Sequence, residues 1–81
     1  MTSQISRKFG LVIRAERKRA GLSQEKLAEH AQLHPTYISL LERGARNPTL
    51  DVAARLAAAL KIDFLSLLSA ALDNKKQTPK R

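Results

Sequence analysis

No cysteine occurs among the 81 residues, so neither a disulfide framework nor thiolate chemistry is open to this chain. Aromatic residues make up only 4% of it against 43% hydrophobic residues, a balance that suits a compact helical bundle better than a sheet structure. No apolar run reaches the roughly 20 residues that span a bilayer. Met1 to Arg19 also lacks the continuous apolar core of a secretory signal, so the expected compartment is the cytoplasm, without a membrane partner. Imidazole is scarce too. His30 and His34 have i, i+4 spacing, but Pro35 puts them on different helices, and no acidic residue or cysteine nearby completes a ligand set. Glycine-rich phosphate loops and nucleophile elbows are missing. Enzymatic activity is therefore not expected, nor is a metal, a cofactor or a small-molecule ligand.

Acidic side chains are few, seven against fifteen basic ones, for a formal charge of +8. The excess is uneven: residues 1–22 carry +5, residues 23–72 are neutral and residues 73–81 carry +3. A basic balance favours a polyanion, because neutralising phosphates releases condensed counterions. Solubility alone is the competing explanation of the charge. The length fits one small domain, and a chain of this size buries only about 60% of its unfolded surface, so a second subunit would add stability.

The 3.6-residue periodicity of apolar side chains predicts five helices. The first runs from Ser3 or Ser6 to Arg19, with Ile5, Phe9, Val12 or Ile13, and Ala20 inward, and ends at Gly21. Ser23 caps a second helix, Gln24 to Ala31; Gln32, Leu33 and His34 form a corner; Pro35 opens a third helix that ends at Arg43, with Gly44 as its left-handed cap. Thr49 caps a fourth helix whose apolar positions are Leu50, Val52, Ala53, Leu56, Ala57 and Leu60. Asp63 caps a fifth, Phe64 to Leu72, which is apolar nearly all round and must be covered on both sides. Leu65 and Leu68 are expected to close the core, and Phe64, Leu67 and Ala71 to meet a second copy in a two-fold homodimer. A fully buried helix of a monomer is the alternative. Residues 1–73 form the domain; 74–81, polar, basic and broken by Pro79, form a flexible tail.

The segment GLSQEKLAEHAQLHPTYISLLERG, Gly21 to Gly44, reads as a helix-turn-helix. Leu27, Ala28, Ala31, Ile38 and Leu41 pack, and small Ala28 marks the point of closest helix approach. The third helix is the candidate reader of base edges, through Pro35, Thr36, Ser39 and Leu40. Gln24, Tyr37, Arg43, Arg46 and Asn47 are candidates for phosphate contacts. Tyr37 has a second reading, as a half-buried core aromatic, and Thr36 and Ser39 as a plain solvated face. Arg17 and Glu42, near the ends of the first and third helices, are expected to form a structural ion pair. His34 is a candidate cap of the third helix or a phosphate contact.

The run GLSQEKLAEHAQLHPTYISLLERGARNPTLDVAARLAAAL resembles the Cro/CI-type (XRE) helix-turn-helix family from Phe9 to about Leu60. Within it, HPTYISLLERGARNPTL followed by one short helix looks most like the controller proteins of restriction-modification systems. The resemblance implies a lambda-repressor-like all-α fold and a sequence-specific transcriptional regulator, dimeric on a near-palindromic double-stranded DNA operator. By the same resemblance, Gln24 binds phosphate, Pro35, Thr36, Tyr37 and Ser39 face DNA, and Arg17 and Glu42 pair. Three positions depart from the family pattern: Gln32 stands where glycine is usual, Pro35 where controllers often have arginine, and Leu40 where they often have glycine. A phage-type repressor, or an antitoxin-like protein-interaction module, is the alternative. Without an effector domain, regulation runs through concentration, operator affinity and contacts with RNA polymerase.

Overall fold

Five helices account for most of residues 4–72, the part of the chain that the computed structural model describes: α1 (Gln4–Arg19), α2 (Gln24–Ala31), α3 (Pro35–Glu42), α4 (Leu50–Leu60) and α5 (Phe64–Leu72). The described residues contain no strand, so the all-α bundle expected from composition is the fold that forms. The domain boundary expected at 73 and the tail expected at 74–81 lie outside the described residues.

Short polar side chains start the helices where the sequence places them. Ser23 Oγ accepts from the Lys26 amide and Thr49 Oγ1 from the Val52 amide, both at 3.0 Å, and Asp63 Oδ2 accepts from the Ser66 amide at 3.1 Å. Each such cap contributes about 1 kcal/mol by satisfying a donor that the first helical turn leaves free. α3 stops at Glu42, one residue before the expected end, because Arg43 already has the non-helical cap geometry of φ −87° and ψ 0°.

α1 lies against α3 and α5, while α2 is held between α3 and α4. Leu27, Ala28, Ala31, Ile38 and Leu41 are all buried, with Phe9, Ile13, Ala53, Leu56, Ala57, Leu60, Leu67 and Ala71 completing the interior. On α1 the buried stripe is Ser6, Phe9, Gly10, Ile13 and Arg17, rotated from the expected one. Ile5 and Ala20 are exposed, Ile5 because Ser6 takes the inward position and Ala20 because it lies in the turn beyond the helix. The rotation has a steric origin. A Cβ built on Gly10 would sit 2.2 Å from the Leu41 carbonyl oxygen and 2.9 Å from that of Glu42, so α1 crosses the end of α3 at a distance only glycine allows.

Leu68 packs against the core as expected, but the rest of α5 is rotated. Leu67 is 1% exposed and Ala71 is buried beside it, so these two serve their own subunit, and Phe64 is partly buried against the same core. Leu65, 72% exposed, and Leu72 point outward instead. Leu50, the first apolar position of α4, is exposed as well. Leu50 and Leu72 join Ile5, Phe9 and Leu68 around an apolar groove of about 320 Å³ between α1, α4 and α5. A helix with seven apolar residues in nine gives its periodicity no polar reference face. Its rotation is decided by what it meets, here α1 and α4.

Replacing Gly10 by alanine should destabilise the domain by about 2 kcal/mol in urea unfolding, although alanine gains about 1 kcal/mol in helix propensity. An unchanged midpoint would mean that α1 and α3 do not approach this closely.

Candidate nucleic-acid interface

The third helix divides cleanly. Ile38, Leu41 and Glu42 are buried, Thr36 is exposed, and Pro35, Ser39 and Leu40 are partly exposed. Thr36, Ser39, Leu40 and Arg43 follow one another at three- and four-residue steps, so they share the outer face. The first turn of this helix is held from outside its own backbone: His34 Nδ1 accepts from the Thr36 amide at 3.1 Å, and Pro35 occupies the first helical position. Nδ1 lends its lone pair to this bond, so the ring caps the first turn while the His34 side chain stays exposed. Tyr37 is partly buried and packs against the core while keeping some exposed surface.

Behind this face sits a charged network. Arg17 Nε donates to Glu42 Oε2 at 2.6 Å and Nη2 donates to Oε1 at 3.1 Å, a bidentate pair with side chains 11% and 3% exposed. Nη1 donates to the Leu22 carbonyl at 2.9 Å, which ties the connector between α1 and α2 to the same guanidinium. Gln24 Nε2 donates to Glu42 Oε1 at 3.0 Å. Gln24 opens α2, and this bond uses one of the two hydrogens on its side-chain nitrogen and fixes the orientation of the amide. The remaining hydrogen, together with the free amides of the first turn, is a set of donors suited to one phosphate oxygen.

The loop after α3 contributes more positive charge. Arg43 and Arg46 are exposed. Gly44 takes φ +76°, and a Cβ there would lie 2.7 Å from Cγ of Arg7, so the stem of Arg7 runs beside this loop. Arg7 is a neighbour of Gly44 with no local signal in the sequence, since only the path of α1 brings it there. Asn47 is exposed, but its Oδ1 accepts from the buried Ser6 hydroxyl, which fastens the loop to α1 and leaves only the amide nitrogen to donate outward. Asn47 also borders the apolar groove, away from the outer face of α3. Among the described residues no group of three or more histidine, cysteine, aspartate or glutamate side chains could hold a metal ion. Nor is any described helix long and apolar enough to cross a membrane.

A helix-turn-helix family profile matches residues 13–73 of this chain. The chain belongs to the helix-turn-helix family. Its relatives include the control protein C.BamHI of Bacillus amyloliquefaciens, 44% identical over 69 residues that cover 84% of this chain and 85% of the relative. The control protein C.SmaI of Serratia marcescens is 46% identical over 57 residues, 70% of this chain and 68% of that one. Among solved structures, the restriction-modification controller protein C.AhdI from Aeromonas hydrophila superposes with a TM-score of 0.75 at 42% identity, over 76% of this chain and 94% of its own. This helix-turn-helix protein is a DNA-binding regulator and not an enzyme.

A double-mutant cycle tests the network behind the reading face. Arg17→Ala and Glu42→Ala should each cost about 3 kcal/mol of stability, because each leaves a buried charge unpaired. The double substitution should cost less than the sum by about 1 kcal/mol or more. Zero coupling would reject the pair as a structural element.

Proposed function

We propose that this regulator acts in the cytoplasm as a homodimer on a near-palindromic operator, as the controller protein of a restriction-modification system. The observation that carries the reading is the division of α3: one side is occupied by Ile38, Leu41 and Glu42 in the interior, and the other offers Thr36, Ser39, Leu40 and Arg43 to a ligand. An exposed helix with short polar side chains near its N-terminus, on a basic protein, fits the major groove. Thr36 and Ser39 donate or accept at base edges, while Leu40 and Pro35 supply apolar contact to thymine methyl groups. The second hydrogen of Gln24 Nε2, the Tyr37 hydroxyl, Arg43, Arg46 and the Asn47 amide nitrogen hold the phosphates. Contact with RNA polymerase then converts occupancy into regulation. The controller role is supported by the names borne by C.BamHI, C.SmaI and C.AhdI, relatives that match along most of this chain.

The dimer surface is proposed on Leu65 and Leu72 with Ile5 and Leu50 beside them, not on Phe64, Leu67 and Ala71. These four are large hydrophobic residues left exposed around the groove and on the outer side of α5, and a small domain gains from covering such a patch. Twinned by a two-fold axis, two copies of α3 enter successive major grooves about 34 Å apart on one side of a duplex.

Selection of bound sequences from random DNA tests the reading, and a symmetric consensus is expected. Thr36→Ala and Ser39→Ala should each relax preference at one or two positions of each half-site. Arg46→Ala should weaken binding to all sequences alike and lower the slope of log K against log salt by about 1. If Arg46→Ala altered the consensus while the two hydroxyl substitutions left it intact, the assignment of readers and anchors would be wrong. For the dimer, Leu65→Glu should halve the mass in light scattering at micromolar concentration with the helical spectrum retained. A mass that stays dimeric would move the interface elsewhere, and a monomeric unsubstituted chain that bound a protein but no duplex would favour the interaction-module alternative.

A further inference from the structure

The corner between α2 and α3 is built on a backbone conformation that its residue disfavours. Gln32 sits at φ 59° and ψ 47°, in the left-handed region where a Cβ crowds the following carbonyl and glycine is the residue at ease. Two backbone bonds close the end of α2 around it, Gln32 N–H to the Glu29 carbonyl at 3.2 Å and Leu33 N–H to the Ala28 carbonyl at 2.8 Å. Peptide planarity ties the Gln32 carbonyl to the Leu33 N–H, so the bond from Leu33 to Ala28 turns that oxygen away from α2. Arg55, two turns into α4, reaches it: Nη1 donates to the Gln32 oxygen at 3.4 Å.

We propose that Arg55 is a positioning residue for DNA reading, holding the left-handed corner at Gln32 and with it the angle between α2 and α3. The rest of its surroundings fit that role. Arg55 Nε is buried without a hydrogen-bond partner, and the nearest carboxylate oxygen, Asp51 Oδ2, stands 3.6 Å away, too far for a hydrogen bond. Asp51 is 81% exposed, so its attraction for the guanidinium is screened by water. The Arg55 side chain is 38% exposed, and the bond to the corner carbonyl together with the exposed ion pair to Asp51 holds it in place against the cost of the unsatisfied Nε. The long stem of Arg55 crosses from α4 to the junction on which the whole reading helix turns. Gln24 at the start of α2 and Thr36 and Ser39 on α3 keep their relative places only if that junction keeps its shape. Arg55 thus acts on the DNA contacts through the backbone, without touching DNA itself.

The inference rests on the DNA-reading function proposed above, and a cycle on the full-length chain separates the two. The proteins compared are the unsubstituted chain, Arg55→Ala, Gln32→Gly, the double variant, and Arg55→Ala combined with Lys61→Gly. Among the described residues Lys61 is the other left-handed non-glycine residue, at φ 59° on the far end of α4, and serves as a control for relief of strain away from the corner. With the duplex selected from random DNA as probe, Arg55→Ala should lower affinity about fivefold while affinity for a random duplex stays within about twofold and the salt slope is unchanged. Gln32→Gly should restore the lost affinity in the double variant; Lys61→Gly should not. A slope lowered by about 1 would make Arg55 a phosphate ligand and overturn the proposal. Equal losses with and without Gln32→Gly would overturn it as well. If the unsubstituted chain prefers no duplex, the function proposed above fails, and the unfolding midpoints of the same proteins still decide this point: Arg55→Ala must lower the midpoint in the presence of Gln32 and not after Gln32→Gly.

Discussion

Glu42 is the carboxylate on which the reading helix depends. It is buried at the end of α3, and its two oxygens are taken by the guanidinium of Arg17 from α1 and the side-chain amide of Gln24 from α2. An ionised carboxylate in so dry a place is tolerated only with charge-assisted partners in good geometry, and any one of them lost leaves the others exposed to the full cost of desolvation. The requirement fixes three helix ends at once. Gly10 makes the arrangement possible by letting the α1 backbone approach the Leu41 and Glu42 carbonyls, since a side chain there would lift α1 away and pull Arg17 from its partner.

The same network gives the outer surface its order. Gln24 is both a partner of the buried ion pair and the first residue of α2, so the internal bond that orients its amide also determines which hydrogen is left to face outward. His34 does the equivalent at α3, where its ring caps the first turn through one nitrogen and turns the other outward. Preorganised donors of this kind lose little freedom on binding, and that keeps the cost of ordering low. In the proposed complex the basic residues add attraction that is indifferent to sequence, whereas Thr36 and Ser39 supply contacts that depend on the base. That proposal lodges affinity and selectivity on different side chains, which the bundle keeps in register.

Much of this architecture is legible in the chain itself. Ser23, Thr49 and Asp63 lie at their helix starts because a short side-chain oxygen satisfies a free amide wherever it precedes a helical segment, a strictly local matter. Leu27, Ala28, Ala31, Ile38 and Leu41 could be assigned to the interior because polar neighbours frame them on two amphipathic helices. The Arg17 and Glu42 pairing was also anticipated, on family resemblance and opposite charge, and the two side chains meet at 2.6 Å. Even the left-handed corner at Gln32 could be foreseen, though not the residue that reaches over to it from α4.

The errors share one cause. Hydrophobicity alone places Ile5 inside, but the inward face of α1 is set by Ser6, Gly10 and Arg17, polar or side-chain-free residues that an apolar count ignores. On α5 no polar face existed to fix the rotation, so Leu67 and Ala71 were assigned outward and Leu65 inward, and packing against α1 and α4 reversed them. Asn47 is bound to Ser6 and Arg7 runs beside Gly44 for reasons that lie in the path of α1, far away along the chain. Caps, turns and periodicity act over a few neighbouring residues, so the chain alone carries where helices begin and which segment forms the motif. The face each helix shows to the others, and with it the side chains left free for a ligand or a second subunit, depends on how the helices pack, where close approach and buried charge outweigh hydrophobic count.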